Sequence, residues 1–412
     1  MKNWFTDFSL LKTNKNFRCV FLARTLSLLT IGMLIVAIPQ QVYALTGDSL
    51  AVAIAIACEG IAMFMGLLCG GILADRYERK RLILWARSIC GLGFVGLAVN
   101  SLLAHPFLQA IYALAAWNGF FSAVGITAML AVMPSIVGRE NIVQARAISM
   151  LSVRLATVVS PAIGGILLAA SNVSSVYWVS AIGTLLTVIL LLSLPTMQPK
   201  LGQEKESPFQ QLKQGFQFVF SNKIVGSTIL VGTCLGFSHA IRILFPQWNA
   251  TVFGGSSATL GFMYAAIPLG ATLGALLSGW VKDISRPGLI MLYACLGVFS
   301  CIILMSFTPW LSLCLLWLCT FGYLISVANL LQYSIVQGHT PDEYLGRINA
   351  IWLAQDASGD SIAATGLGVL TRFLPVSSSL FCFGALSLTL GIVCLAQLQG
   401  VRRAPIQDPH LQ

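Results

Sequence analysis

Residues 70–81 read GGILADRYERKR, and they join an apolar run at 49–74 to another at 82–104. Within this turn the pattern G-x-L-A-D-R-x-x-R-K runs from Gly71 to Lys80. Each residue type has a physical use there. Gly71 permits close approach of a neighbouring helix. Asp75 sits at a helix end, where a carboxylate can accept hydrogen bonds and pair with a cation. Arg76, Arg79 and Lys80 are placed to reach neighbouring helix ends. A cluster of this kind can hold one conformation closed and release it in another. A basic turn that only sets orientation needs neither the glycine nor the aspartate at these spacings, so Gly71, Asp75, Arg76, Arg79 and Lys80 read as a conformational latch.

Outward from the turn, the composition sets the class. Of 412 residues, 57% are hydrophobic and 9% charged, with a mean hydropathy of +0.84. A soluble domain carries about 25% charged residues, so this chain is too poor in charge to cover a water-facing surface and reads as integral membrane. A span needs about 20 apolar residues. Apolar runs fall at 18–45, 49–74, 82–104, 107–136, 144–170, 174–194, 224–252, 257–281, 287–308, 310–337, 344–370 and 376–400. The expected fold class is an all-α membrane protein of twelve transmembrane helices. The polar stretch before the first run is too long for a cleavable signal peptide, so that run serves as an uncleaved insertion signal. The net charge of +10 does not point to nucleic acid, because the cations sit in short turns between apolar runs. Lys2, Lys12, Lys15 and Arg18 precede the first run; Arg139 and Arg146 lie near the fourth turn; Lys282 and Arg286 follow the eighth run, and Arg402 and Arg403 the last. The opposite turns hold almost no basic residue apart from Arg372. That asymmetry places both termini in the cytoplasm. The eleven cysteines lie almost entirely inside apolar runs without metal-ligand spacing, so they read as small core residues; no metal and no cofactor is expected.

Met197–Lys223 is the one long polar segment, and its later part repeats Phe209, Leu212, Phe216 and Phe220 at helical spacing. It reads as a cytoplasmic linker carrying an amphipathic helix on the membrane surface. The organisation is then 1–195 as an N-terminal six-helix bundle, 196–223 as linker, and 224–412 as a C-terminal six-helix bundle with a short tail. The bundles read as pseudo-symmetric repeats. SGWVKDISRPG follows the eighth run as GGILADRYERKR follows the second; Gly71 to Asp75 and Gly279 to Asp283 share G-x-x-x-D; Ala145-Arg146 and Gly346-Arg347 open the fifth and eleventh spans. Two related halves imply a pathway at their interface.

The fifth span carries Ala156-x-x-x-Ser160-Pro161-x-x-Gly164-Gly165. Its small residues allow tight helix contact and Pro161 bends the helix; ordinary packing is the alternative reading. Arg24, Glu59, Arg87, Arg154, Arg242, Asp356 and Asp360 are ionisable residues inside apolar runs, with His239 nearby. A charge at the bilayer centre costs about 2.5–3.5 kcal/mol on insertion scales, so such residues face a cavity or pair with each other. Asp356 and Asp360 share a helix face. Glu59 and either aspartate are candidate proton carriers, while Arg24, Arg154 and Arg242 could receive an anionic substrate or hold those carboxylates. Structural pairing near span ends is the alternative for Arg87, Glu59 and Asp360. Trp117, Asn118, Phe120, Phe121, Phe237, Trp248, Gln332, Tyr333, Trp352 and Gln355 could suit a flat aromatic ligand, although aromatics in membrane helices more often face lipid or core.

The turn at Gly71–Lys80 resembles the signature loop of the major facilitator superfamily, and the Ala156–Gly165 motif resembles one that its exporters carry. Longer stretches are similar to its siderophore exporters: SLLKTNKNFRCVFLAR (9–24), VGRENIVQA (137–145), SVRLATVVSPAIGG (152–165), YAAIPLGATLGALLSG (264–279) and LLQYSIVQGHTPDEYLGRINAIWLAQDASGD (330–360). The resemblance implies alternating access, export of enterobactin or a close catecholate from cytoplasm to periplasm, and proton-coupled antiport. It implies a bacterial inner membrane as location, and siderophore, protons, lipid bilayer and an outer-membrane efflux channel as partners. The chain departs from the pattern at Glu78, where glycine is usual; at Met33, which follows Gly32 where many exporters are acidic; at Asn118, where an acid is expected after Trp117; and at Glu59, where a neutral residue is expected. The rival readings are a general multidrug efflux transporter of the same superfamily, an importer, against which the Ser160-Pro161 motif argues, and a membrane enzyme or channel. No nucleophile–base pair or phosphate loop supports an enzyme.

Overall fold

Asn14 starts the first long helix. Its Oδ1 accepts a hydrogen bond from the Phe17 amide at 2.9 Å, and its Nδ2 donates to the Ile136 carbonyl at 3.0 Å. One side chain thus caps a helix and ties it to another. At the far end Gly47 adopts φ 64°, the left-handed conformation that closes helices at low steric cost. The computed structural model describes residues 8–138, 140–196, 208–341, 344–345, 348, 351 and 361–403. Among these residues helices dominate and no strand occurs. In chain order they are α1 (Ser9–Thr13), α2 (Lys15–Thr46), α3 (Ser49–Arg76), α4 (Arg79–Leu102), α5 (Leu108–Val137), α6 (Ile142–Ala170), α7 (Val173–Leu192) and α8 (Pro208–Ser221). There follow α9 (Lys223–Phe237), α10 (Phe245–Val252), α11 (Ser257–Leu276), α12 (Pro287–Ser306), α13 (Leu311–Gly338), α14 (Ser361–Leu370), α15 (Val376–Gln397) and α16 (Gln399–Arg403).

Eleven spans among the described residues are long and apolar enough to cross a membrane, counting Lys223–Val252 as one. About half of the remaining expected span, 344–370, falls outside the described residues, and α14 is its described end. The helices have the inverted pattern that lipid demands. On α7 the exposed stripe is Val179, Ile182, Leu186 and Ile189, whereas Tyr177, Ser180, Thr184 and Thr187 are buried. Apolar side chains face outward because hydrocarbon solvates them. Small and hydroxyl-bearing residues face inward because helix association in lipid relies on close packing and interhelical hydrogen bonds.

The chain forms two compact units: Met1–Gly47 with Ile54–Gln203 and Ser256–Ala265, and Asp48–Ala53 with Glu204–Gly255 and Ala266–Gln412. In the first unit α2 packs on α6 and α7, and α4 on α5 and α7. Buried hydroxyls pin these contacts. Tyr177 Oη donates to Gln41 Oε1 at 2.7 Å, Ser180 Oγ donates to the Thr30 carbonyl at 3.0 Å, and Thr25 and Ser152 hydroxyls meet at 2.5 Å. An apolar cluster including Phe17, Ile83, Met129, Ile148 and Leu191 fills one part of this unit.

In the second unit α12 packs on α13 and α15, and α13 on α9. Its Asp48–Ala53 segment is bound by Arg372, whose Nη2 and Nε donate to Asp48 Oδ2 at 2.7 and 3.3 Å, and by Ser49 Oγ donating to Gln247 Oε1 at 2.6 Å. The apolar run over 224–252 forms one helical span whose winding changes inside it. Residues Ser238–Leu244 form a 3₁₀ segment between α9 and α10, and Phe245 N–H bonds to the Arg242 carbonyl. Pro246 explains the position. Within a continuous α-helix its ring would clash with the Arg242 carbonyl, four residues earlier.

Candidate functional site

The turn at 70–81 divides its labour differently from the reading given above. A methyl built on Gly71 meets nothing among the described residues within 4 Å. The close helix approach belongs instead to Gly66, against the Phe120 backbone, and to Gly70, against Val124 and Thr127 of α5. Gly119 completes this crossing against the Glu59 backbone. Gly66-x-x-x-Gly70 is the small-x-x-x-small spacing of tight membrane crossings and was the available signal. Lys80 Nζ donates to the Leu194 carbonyl, just beyond α7, where a cation complements the negative helix end. Glu78 pairs with Arg81 at 2.9 Å and stands at the N-terminus of α4, the favourable end for a carboxylate. Arg76 is exposed and Arg79 half-buried. The side chain of Asp75 lies outside the described residues.

On α6, Ala156, Ser160, Pro161, Gly164 and Gly165 are all buried. They form two contact faces. Ser160 sits where a side chain on Gly32 would be, and Gly164 would place a methyl 3.0 Å from Met33 Cα, so this face holds α2. A methyl on Gly165 would lie 2.5 Å from Gly261 Cα and 2.7 Å from the Ser257 carbonyl, so the other face holds the start of α11. The motif therefore makes α6 thin enough to lie between α2 and the first turns of α11, which belong to the same unit.

Glu59, half-buried on α3, accepts a hydrogen bond from Asn118 Nδ2 at 3.2 Å, and Asn118 Oδ1 accepts from the Cys90 thiol at 3.2 Å. This chain joins α3, α5 and α4. The two residues that depart from the exporter pattern in opposite senses, Glu59 and Asn118, are thus partners. Arg24 and Arg154 are half-buried on α2 and α6, and Arg87 is buried on α4. In the second unit Arg242 and His239 lie in the 3₁₀ break. Arg242 Nε donates to the His239 carbonyl at 3.2 Å, and the His239 ring meets Phe321 edge-on with centroids 6.5 Å apart. A 3₁₀ stretch in the middle of a helical span marks a hinge or a functional position. Trp248, Phe321 and Gln332 are buried, whereas Trp117 and Tyr333 keep substantial exposure. Asp356, Asp360, Trp352, Gln355 and Gly346-Arg347 lie outside the described residues. No cluster of three or more His, Cys, Asp or Glu suited to a metal occurs among the described residues.

The family model described as Major Facilitator Superfamily matches residues 20–364. The chain is 46% identical over 414 residues to the enterobactin exporter EntS of Escherichia coli O1:K1 / APEC, covering 100% of this chain and 98% of the relative. It is equally similar to EntS of Escherichia coli strain SMS-3-5 / SECEC. Among solved structures, the nucleoside transporter NupG superposes with a TM-score of 0.74 at 14% identity, over 93% of this chain and 99% of that one. A POT family transporter in complex with 5-aminolevulinic acid gives 0.70 at 14% identity, over 96% and 98%. These last two likenesses bear on the fold alone.

Proposed function

The chain belongs to the major facilitator superfamily, and from that premise we propose that it exports enterobactin or a closely related catecholate siderophore from cytoplasm to periplasm. The observation that carries this reading is the 46% identity to enterobactin exporters over the whole of this chain and 98% of theirs. Transport proceeds by alternating access, with residues 1–195 and 224–412 as the two moving halves of a bacterial inner-membrane protein and both termini cytoplasmic. The 3₁₀ segment Ser238–Leu244, inside the span Lys223–Val252, supports a site or hinge at that level, and the Gly71–Lys80 turn serves as its latch. Coupling is to protons, with Glu59, Asp356 and Asp360 as candidate carriers and Arg24, Arg154 and Arg242 as candidate partners of those acids or of the cargo. An outer-membrane channel completes the route out of the cell.

Deletion of this protein from a siderophore-producing host, with secreted catecholate measured in the medium, tests the cargo. Reduced secretion restored by the intact chain supports the reading. Normal secretion combined with a broad loss of drug resistance turns the assignment to general multidrug efflux.

A further inference from the structure

Arg87 lies inside the span α4 with only 3% of its surface exposed. Its Nε is buried without a hydrogen-bond partner, and no acid among the described residues pairs with it. The guanidinium rests over α5 at Gly125, where a methyl would fall 3.2 Å from Nε and 3.5 Å from Cζ. Gly125 thus leaves room for a planar cation. The group within electrostatic reach that carries like charge is Arg24 of α2, which is half-buried and keeps part of its surface accessible. The Cys90 thiol also faces Arg87, but it is engaged with Asn118. Glu59 is tied to that same amide. The first unit therefore holds two neighbouring cations with no ion-pair partner among the described residues, one of them almost wholly removed from solvent.

A buried charge lacking a partner strongly disfavours the folded state, and a second cation nearby adds repulsion. An ionisable residue kept inside a membrane span at such a cost marks a functional position by default, and a ligand can bring the missing charge. We propose that Arg87 and Arg24 form a receptor for a planar oxyanion, Arg87 as its floor and Arg24 at its approach. The proposal rests on the cargo reading above in naming that group as an ionised catechol. Two adjacent ring oxygens match the fork of guanidinium N–H donors, which a lysine ammonium cannot reproduce.

The test uses the full-length protein in detergent micelles and three probes: 2,3-dihydroxybenzamide, its dimethoxy analogue, and benzoate. Binding is read by titration calorimetry, and thermal unfolding is followed with and without probe. The receptor predicts that the dihydroxy probe binds and raises the unfolding temperature, while the dimethoxy probe does neither. Arg87→Gln should weaken dihydroxy binding at least tenfold, and Arg87→Lys should fall between. Without probe, Arg87→Gln should unfold at an equal or higher temperature, because an uncompensated charge has been removed; a structural arginine would give the opposite sign. Binding of benzoate alone, abolished by Arg87→Gln, keeps the receptor and removes the catechol. Equal dihydroxy binding by wild type and Arg87→Gln overturns the receptor while leaving the cargo standing. Failure of wild type to bind any probe at millimolar concentration overturns it as well.

Discussion

A carboxylate in a membrane helix holds its place through what its neighbours offer, and at Glu59 that offer includes the Asn118 amide. Glutamine at 59 keeps an oxygen for that bond, so amide substitution removes the titrating group while sparing the contact. Replacement of Glu59, Asp356 and Asp360 by amides together should abolish transport driven by a pH gradient, with insertion unchanged. Full gradient-driven transport in vesicles carrying the triple variant would remove proton coupling through these acids. Lys80→Met deletes the donor to the Leu194 carbonyl; thermal unfolding should report a loss of about 1 kcal/mol, and an unchanged midpoint would show the contact to be idle. Asp75→Asn should lower transport about tenfold while expression and insertion persist, as expected of a residue that weights two conformations; unaltered rates would end its role in the latch. The acidic and basic members of these groups stood out in the sequence because charge is rare in apolar runs. Their pairing did not, since whether Glu59 meets Asn118 depends on the rotation of α3 and α5 about their own axes, which spacing along one chain leaves open.

Helices in lipid gain little from burying apolar surface against each other, so their fit decides which of them pack. That makes α6 sensitive. Gly165→Val should push against Gly261 and the Ser257 carbonyl and destabilise the protein by about 1–3 kcal/mol, measured as thermal unfolding in detergent. A variant as stable as the parent would show that α6 and α11 can part at no cost. By contrast Arg372→Gln, which breaks the ion pair with Asp48, should change stability by no more than about 1 kcal/mol, because the Arg372 side chain is 57% exposed and water screens the pair. A larger loss would mean that the turn depends on it. The elements themselves were largely legible: every described span coincides with an apolar run, and the small residues of α6 announce close packing. The run 224–252 does form one span, with a 3₁₀ segment inside it that Pro246 could have announced, and the crossing credited to Gly71 is made by Gly66 and Gly70. Adjacent residues on a helix point about 100° apart, so a motif can name the right turn and the wrong glycine.

At the scale of the whole molecule, composition alone excluded a soluble protein, and the full-length identity to enterobactin exporters is what the proposed cargo rests on. What neither composition nor periodicity could supply is the site, because a pathway is built from residues far apart in sequence that meet only when helices pack. Both termini should be labelled by impermeant reagents only in inverted vesicles; labelling of one end in intact spheroplasts would contradict the arrangement of the halves. The central claim is outward movement of a catecholate, and transport into inverted vesicles measures it most directly. Vesicles containing the full chain, supplied with radiolabelled enterobactin and an acidic interior, should accumulate it well above vesicles lacking the protein, and dissipating the proton gradient should stop accumulation. Equal uptake by vesicles with and without the protein would contradict the account.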